Sequence, residues 1–183
     1  MTNSTEIVAD IITPRLRITP LTRELAALQV DDLSGFFDAL GVEFEPAWPP
    51  QFATRESLEW MKTKLAERPE DTGWYQWIYI SPVMNRLMGT GGFVGPVDAR
   101  GQIEIRYSML LSFREQGLAT EGVSALLDWA YAHDAVKQVV AYPRADGTAA
   151  IRILEKLGFE PTGTCHTTSD GDVLDVYLHK RTA

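Results

Sequence analysis

The 183-residue sequence has one cysteine, three histidines and no run of lysine or arginine. Each scarcity excludes something. The lone Cys165 has no partner for an internal disulfide, which suits a reducing compartment and a cytoplasmic placement. His133, His166 and His179 share no metal-ligand spacing with Cys165 or with one another, so no metal is expected. The net charge is −8, from 17 Lys+Arg against 25 Asp+Glu. With no basic cluster, nucleic acid and anionic membrane surfaces are not expected partners, whereas a protonated amine is weakly favoured. No stretch approaches the ~18 apolar residues of a membrane span. Met1 to Pro14 also lacks the basic and continuous apolar regions of a signal peptide.

What is present is enough large apolar surface for one core. Five Trp, six Tyr and seven Phe stand in a chain that is 45% hydrophobic and 23% charged. With no repeat and no linker, residues 1–183 are expected to form a single domain, with 1–13 as a loosely ordered arm. Alternation predicts a strand over 15–21. A helix is expected over 22–40, interrupted if Gly35 weakens it. Pro46, Pro49 and Pro50 mark a loop, and Thr54 is placed to cap a helix that runs to Glu67. Strands over 74–81, 86–94 and 102–110 form an antiparallel meander. A helix over 117–133, a strand over 138–142, a helix over 148–157 and a hairpin over 160–179 complete a mixed α/β layer fold.

The stretch from Ile103 to Thr120 holds the most chemistry. A strand there runs into a glycine-containing turn that opens a helix. The first N–H groups of a helix lack internal partners and carry the positive end of the macrodipole, which makes an anion site. Gly117 permits close backbone approach, Ala119 keeps the turn narrow, and Arg114 can add charge at the rim. Strand-to-helix turns with glycine are also common without any ligand.

Arg114-x-x-Gly117-x-Ala119 resembles the pyrophosphate loop of the GNAT superfamily of N-acetyltransferases. Glu104-Ile-x-Tyr107, Gly117-Leu-Ala-Thr-Glu121 and Ile151 to Phe159 together resemble its RimJ/RimL-type branch, from Thr13-Pro-Arg-Leu-Arg17 to the last hairpin. The resemblance implies a mostly antiparallel central sheet of about seven strands flanked by about four helices. It implies acetyl-CoA as cosubstrate and a primary amine as acceptor, either a small molecule or a peptide N-terminus. It also implies two splayed strands with the pantetheine arm between them, paired to the backbone of Met109, Leu110 and Leu111. The amides of Gln116, Gly117, Leu118, Ala119, Thr120 and Gly122 would cradle the pyrophosphate, with Arg114 at the entrance. Relatives of this kind are often homodimers.

An alkylamine of pKa ~10 is only about one part in a thousand neutral at pH 7, so a base is needed. Glu104 is the candidate; a solvated strand face or an ion pair with Arg106 are alternative roles for it. The family's oxyanion donor corresponds to the backbone N–H of Met109. Its usual tyrosine acid corresponds to Leu154, and its usual Asn and Ser at the head of the last helix correspond to Gly147 and Ala150. Thr148 is then the polar group left at that helix head, unless Asp146 caps the helix. These departures keep open a catalytically silent module that binds a CoA ester. The run Gly89 to Gly95 lacks the following helix of a dinucleotide fingerprint and reads as a strand allowing close backbone approach. Trp48, Trp74 and Trp77 are read as core or loop anchors in preference to an acceptor pocket.

Overall fold

The computed structural model describes residues 8–51, 53–144 and 146–181. Its eight strands form one sheet: β1 (Ile11–Ile12), β2 (Arg17–Pro20), β3 (Gln76–Ser81), β4 (Arg86–Phe93), β5 (Gln102–Met109), β6 (Gln138–Ala141), β7 (Glu160–Thr167) and β8 (Val173–Lys180). Their order across the sheet is β1-β2-β3-β4-β5-β6-β8-β7. Neighbours are antiparallel except β5 and β6, which run parallel. The helices are α1 (Arg23–Asp31), α2 (Leu33–Leu40), α3 (Arg55–Glu67), α4 (Leu118–Tyr131) and α5 (Thr148–Lys156). None of them is long and apolar enough to cross a membrane.

The mixed, mostly antiparallel architecture is the expected one, with one strand and one helix more than the approximate count. The extra strand is β1, whose two residues pair with Arg17 and Ile18; the first seven residues of the expected arm lie outside the described residues. The extra helix arises because 22–40 breaks at Asp32 and not at Gly35. Asp32 closes α1, and its carboxylate accepts the N–H of Gly35 at 3.0 Å to cap α2. Gly35 permits that cap, since a Cβ there would lie 2.5 Å from the Asp32 carboxylate. Thr54 caps α3 as expected, by accepting from Ser57 N–H at 3.1 Å.

Every residue of β3 from Trp77 to Ser81 is buried, so the sheet is covered on both faces. Helix α4 covers one of them, where Trp129 packs edge-on against Trp77 and stacks on Phe93. Trp48 and Trp77 are buried and Trp74 packs against the same cluster, which makes all three anchors. The glycines of β4 do allow close approach. A Cβ on Gly91 would run into the Tyr79 hydroxyl, and one on Gly122 of α4 would lie 2.5 Å from Cζ of the same ring. Tyr79 therefore fills the space between sheet and helix.

That hydroxyl is fully buried, has no hydrogen-bond partner among the described residues, and is pushed far above the usual phenol range by burial. An unsatisfied buried polar group costs free energy. Tyr79→Phe is therefore expected to raise stability by about 1 kcal/mol, read as a higher urea midpoint at unchanged slope. A lowered midpoint would show that the hydroxyl contributes a bond.

Candidate functional site

Strands β5 and β6 pair only from Gln102↔Gln138 to Glu104↔Val140. Beyond that point β5 continues along β4 to Met109 while β6 turns away, and a cleft opens between them. The Tyr107 hydroxyl, pushed above its usual range by burial, donates across to the Ala150 carbonyl on α5 at 3.1 Å. Leu110 N–H bonds the Met88 carbonyl at 2.9 Å. Because antiparallel ladders alternate, Met109 directs its N–H away from β4, toward the cleft. Of the three backbone segments expected to face a ligand arm, Leu110 thus has its N–H already bonded to β4. Leu111 opens a short 3-10 turn, Leu111–Phe113, with its side chain in solvent.

That turn is anchored by buried Phe113 and leads into a tight loop. Glu115 (φ 61) and Gly117 (φ 76) both adopt left-handed backbone, after which α4 begins at Leu118. The first helical bond is Glu121 N–H to the Gly117 carbonyl at 3.1 Å. The preceding amides, Glu115, Gln116, Gly117, Leu118, Ala119 and Thr120, have no acceptor among the described residues. Alternating backbone of this kind at a helix head makes a concave array of donors. Leu118, Ala119 and Gly122 are buried and seat the helix on the sheet.

Arg114, expected at the entrance, donates from Nε to the Met109 carbonyl at 3.1 Å and from Nη2 to Gln51 Oε1 at 3.2 Å. The motif places Arg114 in sequence, but two nearby acceptors draw its guanidinium to the cleft side. Gln116 also folds back, donating from Nε2 to the Ser112 carbonyl at 3.1 Å.

Arg15 is the cation that the loop does meet. Its Nη1 donates to the Gln116 carbonyl at 2.7 Å, and its Nε forms an ion pair with Glu121 at 2.7 Å. Glu121 also accepts from Thr13 Oγ1 at 2.6 Å and from Arg15 N–H at 2.8 Å. Burial raises the Glu121 carboxyl, but these bonds from Thr13 and Arg15 outweigh it and hold the group below its ordinary range.

On the opposite face of β5, Glu104 and Arg106 form the ion pair that was one of the expected alternatives, at 2.6 Å. Ser108 donates there to the Gln51 carbonyl at 3.1 Å, so the loop after α2 lies against the end of β5. At the head of α5, Gly147 and Thr148 supply no side-chain cap, and Asp146 pairs with Arg144 at 3.4 Å without capping. Leu154 is buried and apolar, so no acid stands there. His166 stacks on Tyr142 with centroids 4.6 Å apart, while Cys165 is exposed. No metal-holding cluster of His, Cys, Asp or Glu occurs among the described residues. Arg15, Gln51 and Tyr107 carry no site role in a reading of local sequence, because each makes its contact here through long-range pairing; the resemblance includes Arg15 and Tyr107 in its matched segments but assigns neither a role, and it does not include Gln51.

The sheet thus parts between two parallel strands beside a helix head whose amides have no acceptor among the described residues. The chain belongs to the acetyltransferase (GNAT) domain family, whose model matches residues 15–160. It is 29% identical over 120 residues to N-acetyltransferase YjdG of Bacillus subtilis (strain 168), itself uncharacterised, covering 66% of this chain and 71% of that one. The fold is shared with the ribosomal-protein-S5-alanine acetyltransferase of Vibrio fischeri (TM-score 0.68, 13% identity, 94% of this chain and 97% of that one). It is shared also with AAC(6')-Ib in complex with ribostamycin and coenzyme A (TM-score 0.59, 20% identity, 91% and 94% covered).

Proposed function

We propose that this acetyltransferase takes its acetyl group from acetyl-CoA and passes it directly to a primary amine, on a small molecule or a peptide N-terminus. The observation that carries the reading is the run of unpartnered amides from Glu115 to Thr120 beside the β5/β6 cleft. Such a donor array fits a diphosphate, and the cleft fits an extended arm. When bound, the cosubstrate supplies an activated acetyl thioester. The resemblance to the RimJ/RimL-type branch, together with neighbours acting on ribosomal protein or bound to ribostamycin, favours an amine acceptor.

The chain's own residues then divide the work. Met109 N–H, facing the cleft, is positioned to donate to the carbonyl oxygen as charge builds on it. Glu104 takes the proton that the incoming ammonium must lose. An arriving cation displaces Arg106, and that exchange is cheap, because Arg106 is 72% exposed and such pairs contribute only about 0–1 kcal/mol. The leaving thiolate, with no tyrosine at Leu154, takes its proton from water.

The test is thiol release from acetyl-CoA across a panel of amines and peptides. Acceptor-dependent release is expected; binding without release on any acceptor would mark a silent binding module. With an accepted amine in hand, Glu104→Gln is expected to lower turnover by about 10²-fold and leave coenzyme A affinity unchanged. Equal turnover of parent and variant between about pH 6 and 9 removes Glu104 from proton transfer.

A further inference from the structure

We infer that Tyr107 is a positioning residue for acetyl transfer: its hydroxyl, bonded to the Ala150 carbonyl, fixes the distance between β5 and α5 across the cleft. The inference rests on the acetyl-CoA reading above, which puts the carrier's arm in that cleft. The β5/β6 ladder ends at the Glu104↔Val140 pair. Past that point the walls of the cleft are not held at ladder spacing, so another contact must set the gap.

Helix α5 has few other constraints. Of its nine residues only Leu154 is buried, and no side chain caps its head. Ile151 and Ile153 pack on the core from partly buried positions. Apolar packing is non-directional, so it docks the helix without fixing its spacing from β5. A hydrogen bond does fix spacing, because it weakens steeply with distance and angle. Among the described residues, no other side-chain hydrogen bond or ion pair ties α5 to the rest of the protein. Tyr107 also stands between Ile105 and Met109 on one face of β5, and both of these neighbours are buried. A shift of α5 against Tyr107 therefore alters the space beside the Met109 amide. Burial pushes the phenol above its usual range, so the hydroxyl stays protonated, and a donor, at neutral pH.

The test is Tyr107→Phe in the full chain, which keeps the ring and removes only the hydroxyl. Coenzyme A affinity is read by isothermal titration and helix opening by amide hydrogen exchange. The amides of α5 are expected to exchange about fivefold faster or more, with those of α4 unchanged. Coenzyme A is expected to bind about fivefold more weakly or worse, since small misplacements at a site are felt strongly. Exchange in α5 within about twofold of the parent overturns the inference. So does faster α5 exchange with unaltered affinity, which leaves the bond a structural role only. Equal acceleration in α4 and α5 overturns it too, because the loss is then one of global stability. A parent that binds no coenzyme A sinks the acetyl-CoA reading itself, a distinct result.

Discussion

Gly122→Ala is expected to bind coenzyme A about tenfold or more weakly than the parent while remaining folded. The added Cβ would stand 2.5 Å from Cζ of Tyr79 and 2.7 Å from its Cε2. The ring cannot retreat, because it is fully buried and its hydroxyl already abuts Gly91. The first turn of α4 must lift instead, carrying the donor amides with it, and misplacement by about 1 Å at a site is felt strongly. Alanine also favours helix over glycine by about 1 kcal/mol. Overpacking of about 1–3 kcal/mol is therefore partly offset in stability but not in geometry. Tyr79→Leu in the same chain frees the space and is expected to restore affinity. Titration of both variants decides it, and unaltered binding by Gly122→Ala would mean the helix is not seated by that ring.

Arg86→Leu is expected to cost about 3 kcal/mol of stability, measured as a shift of the urea midpoint. Arg86 opens β4 and donates through Nη2 (2.5 Å) and Nε (3.1 Å) to one oxygen of Glu45, whose side chain is only 4% exposed. Its guanidinium also lies over the Phe113 ring, 5.3 Å from the centroid. Removing the arginine strands a buried carboxylate, the costly way to break such a pair. In a Glu45→Leu background the same change should cost less than half as much, because no charge is left behind. A loss of the same size in both backgrounds would assign the effect to packing on Phe113.

Much of the fold was legible because burial imposes period two on strands and a fixed cap chemistry on helices. Ile103, Ile105 and Met109 alternate with Glu104, Arg106 and Ser108, and the structure buries the first set and not the second. Thr54 shows the same legibility at the start of α3. Where local pattern was silent, the reading fell short. Asp32 looks like an ordinary residue inside a helical stretch, yet its carboxylate captures Gly35 N–H and divides the helix. Ile11 and Ile12 are too few to show any period.

At the site, the motif around Gly117 located the loop, since glycine marks a position that needs left-handed backbone. Arg114 lies three residues before Gly117 in sequence but is drawn to Met109 and Gln51, acceptors set by tertiary packing. Arg15 reaches the loop from more than 100 residues away, and no window of sequence contains both partners.

The contact between Arg15 and Glu121 closes a span of 106 residues. Bringing such distant segments together carries a loop-closure cost that only the intervening sheet and core can repay. As the chain is synthesised, Arg15 emerges 106 residues before its partner, and the pair can form only once α4 has packed beside the sheet that already holds β2. The Arg15–Glu121 pair therefore forms only in the completed tertiary structure and ties the start of β2 to the first turn of α4.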